Sequence, residues 1–257
     1  MLRLATRPRW IAFGVLAVLI ALACVRLGIW QLHRHQERTA FNATVEQGAA
    51  ATPVPADGLL APRQGVREDA EWRRVTLTGR FDVDRQLLIR NQPLEGQNGY
   101  HVLTPLVPAD GPGLLVDRGW VPAGATAATV PDVPAPPSGQ VRVTGRVHAS
   151  VGGDEPADLA PAGQLTRVDV PTVRDGLPYP VYGGYVELTA LRPAPAHAPA
   201  PIPPPELGIG PHLAYAVQWW IFAVIALVGW ALLLRREARD EASETPVRET
   251  RAPAPTG

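Results

Sequence analysis

Two stretches of the chain show no alternation of hydrophobic and polar positions. Trp10–Val25 runs without a charge and, after Arg26, resumes as Leu27–Leu32, while Leu213–Leu234 is uncharged throughout. At about 1.5 Å per residue, roughly 22 residues of helix measure about 33 Å, against a hydrocarbon core of about 30 Å. The pattern therefore predicts two membrane-spanning helices. Between them the period changes to two, with β-branched residues and turn signals, which predicts strands. The runs are Trp72–Asp82, Arg85–Asn91, Gly99–Val107, Gly113–Val121, Gln140–Ser150, Leu165–Val170 and Tyr185–Leu191. At least seven short strands in about 120 residues predict a small barrel or sandwich.

Each predicted span has a patterned face. On the first, Gly14, Ala17, Ala21, Cys24 and Gly28 recur at spacings of three and four, a stripe of small residues that permits close helix approach. On the second, His212, Tyr215, Ala216, Trp219, Ala223, Ala226 and Trp230 share a face by the same arithmetic. Cys24 reads as a packing residue, and as the only cysteine it cannot form an intramolecular disulfide.

Charge orients the spans. Arg3, Arg7 and Arg9 precede the first, and Arg235, Arg236 and Arg239 follow the second, whereas Pro193–Pro211 contains no Arg. The positive-inside rule then places both termini in the cytoplasm and the β-rich region outside. A cleaved signal peptide is the rival reading, with "ALAC" at Ala21–Cys24 as a weak lipoprotein-like site. The apolar run continues past it into "LGIWQL", which favours an uncleaved helix. A start too short for an organelle transit peptide favours a bacterial plasma membrane. Zero net charge, from 24 basic and 24 acidic residues, gives no reason to expect nucleic acid as a partner.

The expected organisation is a cytoplasmic N-terminus (1–9), a first transmembrane helix (10–32), a juxtamembrane segment and flexible linker (33–70), and an extracytoplasmic β-rich, α+β domain (71–192). A semi-rigid Pro-rich strut (193–211), a second transmembrane helix (212–234) and a disordered cytoplasmic tail (235–257) follow.

No G-x-S-x-G, H-E-x-x-H, P-loop or C-x-x-C is present. His33 and His35 form an H-x-H pair that needs a third ligand to hold a metal, so an exposed polar juncture is the simpler reading. His101 reads as a strand residue, and His148 and His197 as lacking evident partners. Arg73, Arg74, Arg90 and Arg118 read as solvated strand charges. His212 stands apart because it opens a span among aromatics. A neutral imidazole there can ligate iron, or can simply anchor at the headgroup level.

Six segments in this order, "LGIWQLHRHQER", "EWRRVTLTGRFD", "LLIRNQPLEGQNGYHVLTPL", "LLVDRGWVP", "GYVEL" and "HLAYAVQWWIFAVIALVGWALLLRRE", resemble the surfeit-locus family of cytochrome c oxidase assembly factors. The resemblance spans most of Leu27–Glu237. It implies a non-enzymatic membrane protein that binds haem a transiently and helps insert it into the oxidase catalytic subunit. The expected partners are that subunit, other assembly factors and the lipid bilayer. It further implies His212 as the axial ligand, with no metal beyond the haem iron. Tyr215, Gln218 and Trp219 are added as haem contacts from helical spacing, and Arg26 as a weaker candidate for a propionate. The alternative is a cofactor-free scaffold for a subunit-assembly intermediate. His33, His35 and the long strut lie outside the family pattern.

Overall fold

The computed structural model describes residues 6–124, 131–152 and 161–243. These fall into two compact units, one built from the terminal helices and one from residues 41–207. Residues 1–5 and 244–257, and so the outer parts of both expected cytoplasmic ends, lie outside the described residues.

In the first unit, helix α1 spans Pro8–Ala50 and helix α3 spans His212–Ser243. Both are long and apolar enough to cross a bilayer. α1 does not stop at Leu32: no Gly or Pro interrupts 33–47, so the expected flexible linker begins as helix. α3 likewise runs past Leu234, where a disordered tail was expected. The sequence there, "RREARDEAS", consists of helix-compatible residues.

The small-residue stripe is where the two helices meet. Ala17, Ala21, Cys24 and Gly28 are buried, and Ala21 and Cys24 pack with Ala223 against Trp219. Gly14 faces the Trp230 ring, and a side chain at Gly28 would collide with the indole of Trp220. The Trp230 indole N–H donates to the Trp10 carbonyl at 3.4 Å. At the same end, Arg9 pairs with Glu237 and Arg7 with Glu241. Off the stripe, Ile11, Phe13, Leu16, Ile20, Ile221, Val224 and Leu232 are exposed. Large apolar side chains around the outside of a helix pair are what lipid, rather than water, accommodates.

The second unit contains strands β1 (Val54–Pro55), β2 (Arg74–Phe81), β3 (Leu87–Ile89), β4 (Gly99–Val107), β5 (Gly113–Pro122), β6 (Val141–Ala149), β7 (Gln164–Leu165) and β8 (Val181–Arg192), with the short helix α2 (Val170–Asp175). They form one mixed sheet in the order β1-β2-β6-β8-β5-β4-β3-β7, and β2 also pairs with β4. That last pairing, at Arg80↔Val107 and Phe81↔Leu106, closes β2, β6, β8, β5 and β4 into a ring, so of the barrel and the sandwich that the spacing allows the domain takes the barrel. Its interior is filled by Val75, Leu106, Leu114, Val116, Val143 and Val186. On the outside, α2 lays Val170 and Val173 over Ile89, Leu103 and Leu115. β5 is thus buried on both faces, which explains why "GLLV" shows no alternation.

Three sequence expectations change here. Leu165–Val170 is not one strand: only Gln164–Leu165 pairs, and Asp169 caps α2 by accepting from the Thr172 N–H at 3.3 Å. Residues 51–70 do not form a flexible linker, since Val54–Pro55 pairs in parallel with Val75–Thr76 and Ala56 and Leu60 enter the core. The Pro-rich strut is tied down: Ala200 exchanges both backbone hydrogen bonds with Trp120 at 2.8 Å, and its Ile202 carbonyl accepts from Arg146 at 3.3 Å.

Candidate functional site

His212 is the first residue of α3 and is half-buried. Its Nδ1 lies 2.9 Å from Oε1 of Gln31 on α1. Two features deliver it there. Gly210, at φ +59°, turns the chain out of the Pro-rich segment in a conformation that suits glycine. The small-residue seam then holds α3 close enough to α1 for a side chain on each to touch. Antiparallel packing matches Gln31 with His212 at one end and Arg9 with Glu237 at the other.

The other expected contacts divide. Trp219 lies in the helix seam against Ala21, Cys24 and Ala223, on the face that carries His212. Tyr215 is 45% exposed and Gln218 is exposed, so neither joins it. The seam passes through Ala216, Ala223 and Trp230. At 100° per residue Tyr215 lies ~80° and Gln218 ~140° off its centre. Trp220, on the other flank, packs onto Gly28. Arg26 is exposed and off the stripe. His33 is exposed and His35 half-buried, and among the described residues no three or more His, Cys, Asp or Glu side chains gather as a metal site. Gln31 was missed by sequence reasoning. Its signal was its place on the small-residue stripe, three residues after Gly28, where a polar side chain in a span needs a partner.

A second polar cluster lies within the β unit. His148 is 6% exposed, with Nδ1 3.1 Å from Glu71 and Nε2 3.1 Å from Glu187. Arg146 donates to Glu187 at 2.8 Å, and Trp72 sets its ring edge-on to the imidazole at 4.5 Å. The partners that the sequence did not reveal come from residue 71 and from β8, far along the chain. Burial alone would lower the His148 pKa, but Glu187 and Glu71 outweigh it and raise it to about 9. Further along the same face, His101 meets Asp117 at 2.8 Å. Burial lifts the Asp117 carboxyl above its usual range despite that contact. Arg118, expected to be solvated, is 4% exposed, donates to Gln86 at 3.0 Å and to the Pro134 carbonyl at 2.7 Å, and lies over the Phe81 ring. Burial pulls its pKa down to about 10. With a carboxylate at each nitrogen, the His148 imidazolium ties Glu71, β6 and β8 together.

Fold and site together define a class of protein with two apolar helices able to span a bilayer, a mixed β domain between them in sequence, and an imidazole at the head of the helix pair. The sequence model of the SURF1 family matches residues 18–224, and the chain belongs to that family. An uncharacterised SURF1-like protein of Mycobacterium tuberculosis is 31% identical over 248 residues, covering 93% of this chain and 90% of its own length. The cytochrome oxidase assembly protein SHY1 of Saccharomyces cerevisiae is 31% identical over 110 residues, 42% of this chain and 28% of its own. Surfeit locus protein 1 of Arabidopsis thaliana is 32% identical over 106 residues, 37% of this chain and 30% of its own.

Proposed function

We propose that this protein is a non-enzymatic assembly factor for a haem a-containing cytochrome c oxidase, which binds haem a transiently through His212 and helps its insertion into the catalytic subunit. Membership of the SURF1 family and similarity to an oxidase assembly protein support the assembly role. The observation that carries the haem reading is the half-buried imidazole of His212, held by one nitrogen at the head of an apolar helix whose Trp219 lies two turns further along the same face. The residues fit the group: imidazole is an established haem ligand, and the exposed apolar faces of both helices suit the hydrocarbon parts of a lipophilic porphyrin.

Bound haem would supply an iron centre for the His212 imidazole to ligate, and this chain's part is to hold and release it. A single imidazole gives a ligand set that recipient histidines can outcompete. Both helices span a bacterial plasma membrane in this reading, with the Arg-bearing ends cytoplasmic and the β domain outside. The test is an absorption spectrum of the full chain purified in detergent from cells making haem a, beside His212→Ala. Haem in the wild type and its loss in the variant is expected. A cofactor-free wild type despite ample haem a leaves the scaffold reading instead, and haem surviving in His212→Ala unchanged moves the ligand elsewhere.

A further inference from the structure

Gln31 and Gly210 act on opposite nitrogens of His212. The contact of Nδ1 with Gln31 is to the amide oxygen, at 2.9 Å. An amide oxygen only accepts, so in the neutral ring the proton sits on Nδ1 and the lone pair on Nε2. Gly210 keeps that second nitrogen clear: a Cβ at position 210 would stand 3.1 Å from Nε2 and 3.2 Å from Cδ2. Any side chain there would cover the nitrogen that carries the lone pair. The same residue satisfies a backbone at φ +59°, so its lack of a side chain serves the turn and the opening together.

We propose that Gln31 is a positioning residue that locks His212 in its Nδ1–H tautomer and, with Gly210, makes it a ligand through Nε2 alone. The proposal rests on the haem-binding reading above and names how that site is tuned. A ring N–H held by a carbonyl or carboxylate commonly orients a metal-binding histidine, and a carboxylate partner also raises its basicity. This chain uses carboxylates for two histidines of its β domain, Asp117 for the half-buried His101 and Glu71 with Glu187 for the buried His148. For His212 it uses a neutral amide. That choice orients the ring while strengthening it as a donor less than a carboxylate would, which suits a ligand that must let its cargo go.

The test uses the full chain in lipid nanodiscs with ¹⁵N-labelled histidine, the His212 signals being assigned by their loss in His212→Ala. The wild type should show the Nδ1–H tautomer before any haem is added, and Gln31→Leu should shift His212 toward Nε2–H. Haem affinity should fall about 10- to 100-fold in Gln31→Leu. Gln31→Glu, which keeps the shape and the acceptor, should retain Nδ1–H and hold haem at least as tightly, which separates the tautomer role from loss of helix pairing. An Nε2–H wild type, or a tautomer and haem affinity both unmoved by Gln31→Leu, overturns the proposal. A wild type that binds no haem while still showing Nδ1–H overturns the haem reading instead, and with it the ligand role.

Discussion

The β domain and the helix pair each place a histidine among polar partners, and they treat it in opposite ways. In the β domain His148 has a carboxylate at both nitrogens and an arginine beside one of them, so it is buried, charged and committed. In the helix pair His212 has one neutral partner and one nitrogen beside a glycine. The difference follows from the surroundings. A barrel can bury an ion cluster because strands from distant parts of the chain bring compensating charges, whereas a helix seam of Gly, Ala and Cys filled by Trp rings takes its polar contacts at its ends. A site for a releasable ligand belongs in the second setting, because in the first both imidazole nitrogens already face carboxylates.

Breaking the charged cluster should have the largest effect. Glu187→Ala leaves His148 and Arg146 without their shared anion, and loss of one partner from a buried ion cluster costs about 3–5 kcal/mol. Urea unfolding of the detergent-solubilised chain, followed by the fluorescence of Trp72 and Trp120, measures it. The second effect is pH dependence. With the His148 pKa raised to about 9 from its ordinary 6.5, protonation stabilises the fold fully below about pH 6.5 and that stability is lost as pH rises through about 9. The shift corresponds to roughly 3 kcal/mol. The unfolding midpoint should fall across that window in the wild type and fall less in His148→Gln, and equal slopes would contradict the assignment. The smallest effect belongs to the helix seam. Gly28→Val drives a side chain into the Trp220 indole, and such overpacking costs about 1–3 kcal/mol. Cysteine cross-linking between the helices should weaken, with the β domain's unfolding midpoint unmoved. A midpoint that moves with it would show that the two units unfold together.

Much of the helix pair was legible in the sequence, because a period of 3.6 and the positions of glycine and alanine specify a seam within each span. Ala17, Ala21, Cys24 and Gly28 were read as packing residues and are buried. Tyr215 and Gln218, expected beside His212 as haem contacts, are exposed and lie off the helix seam, because spacing fixes which residues share a face but not which line along that face touches the partner helix. In the β domain, strands such as Gly99–Val107 were legible from alternation. His148 was not, since Glu187 becomes its neighbour only when β6 pairs with β8, and Glu71 only when the chain entering β2 pairs with β6.

By itself the sequence determined two apolar stretches long enough to cross a bilayer, a β-rich region between them, a lone histidine at the head of the second stretch and the family. These are properties of local pattern and order, which need no knowledge of contacts. Tertiary structure alone decided that β2 meets β4 to close the barrel, that the Pro-rich strut is fastened at Ala200, that Arg118 and His148 are buried, and that Gln31 is the residue facing His212. Each of those depends on groups far apart in the chain being brought within about 3 Å, the range over which a hydrogen bond or ion pair sets a proton's place.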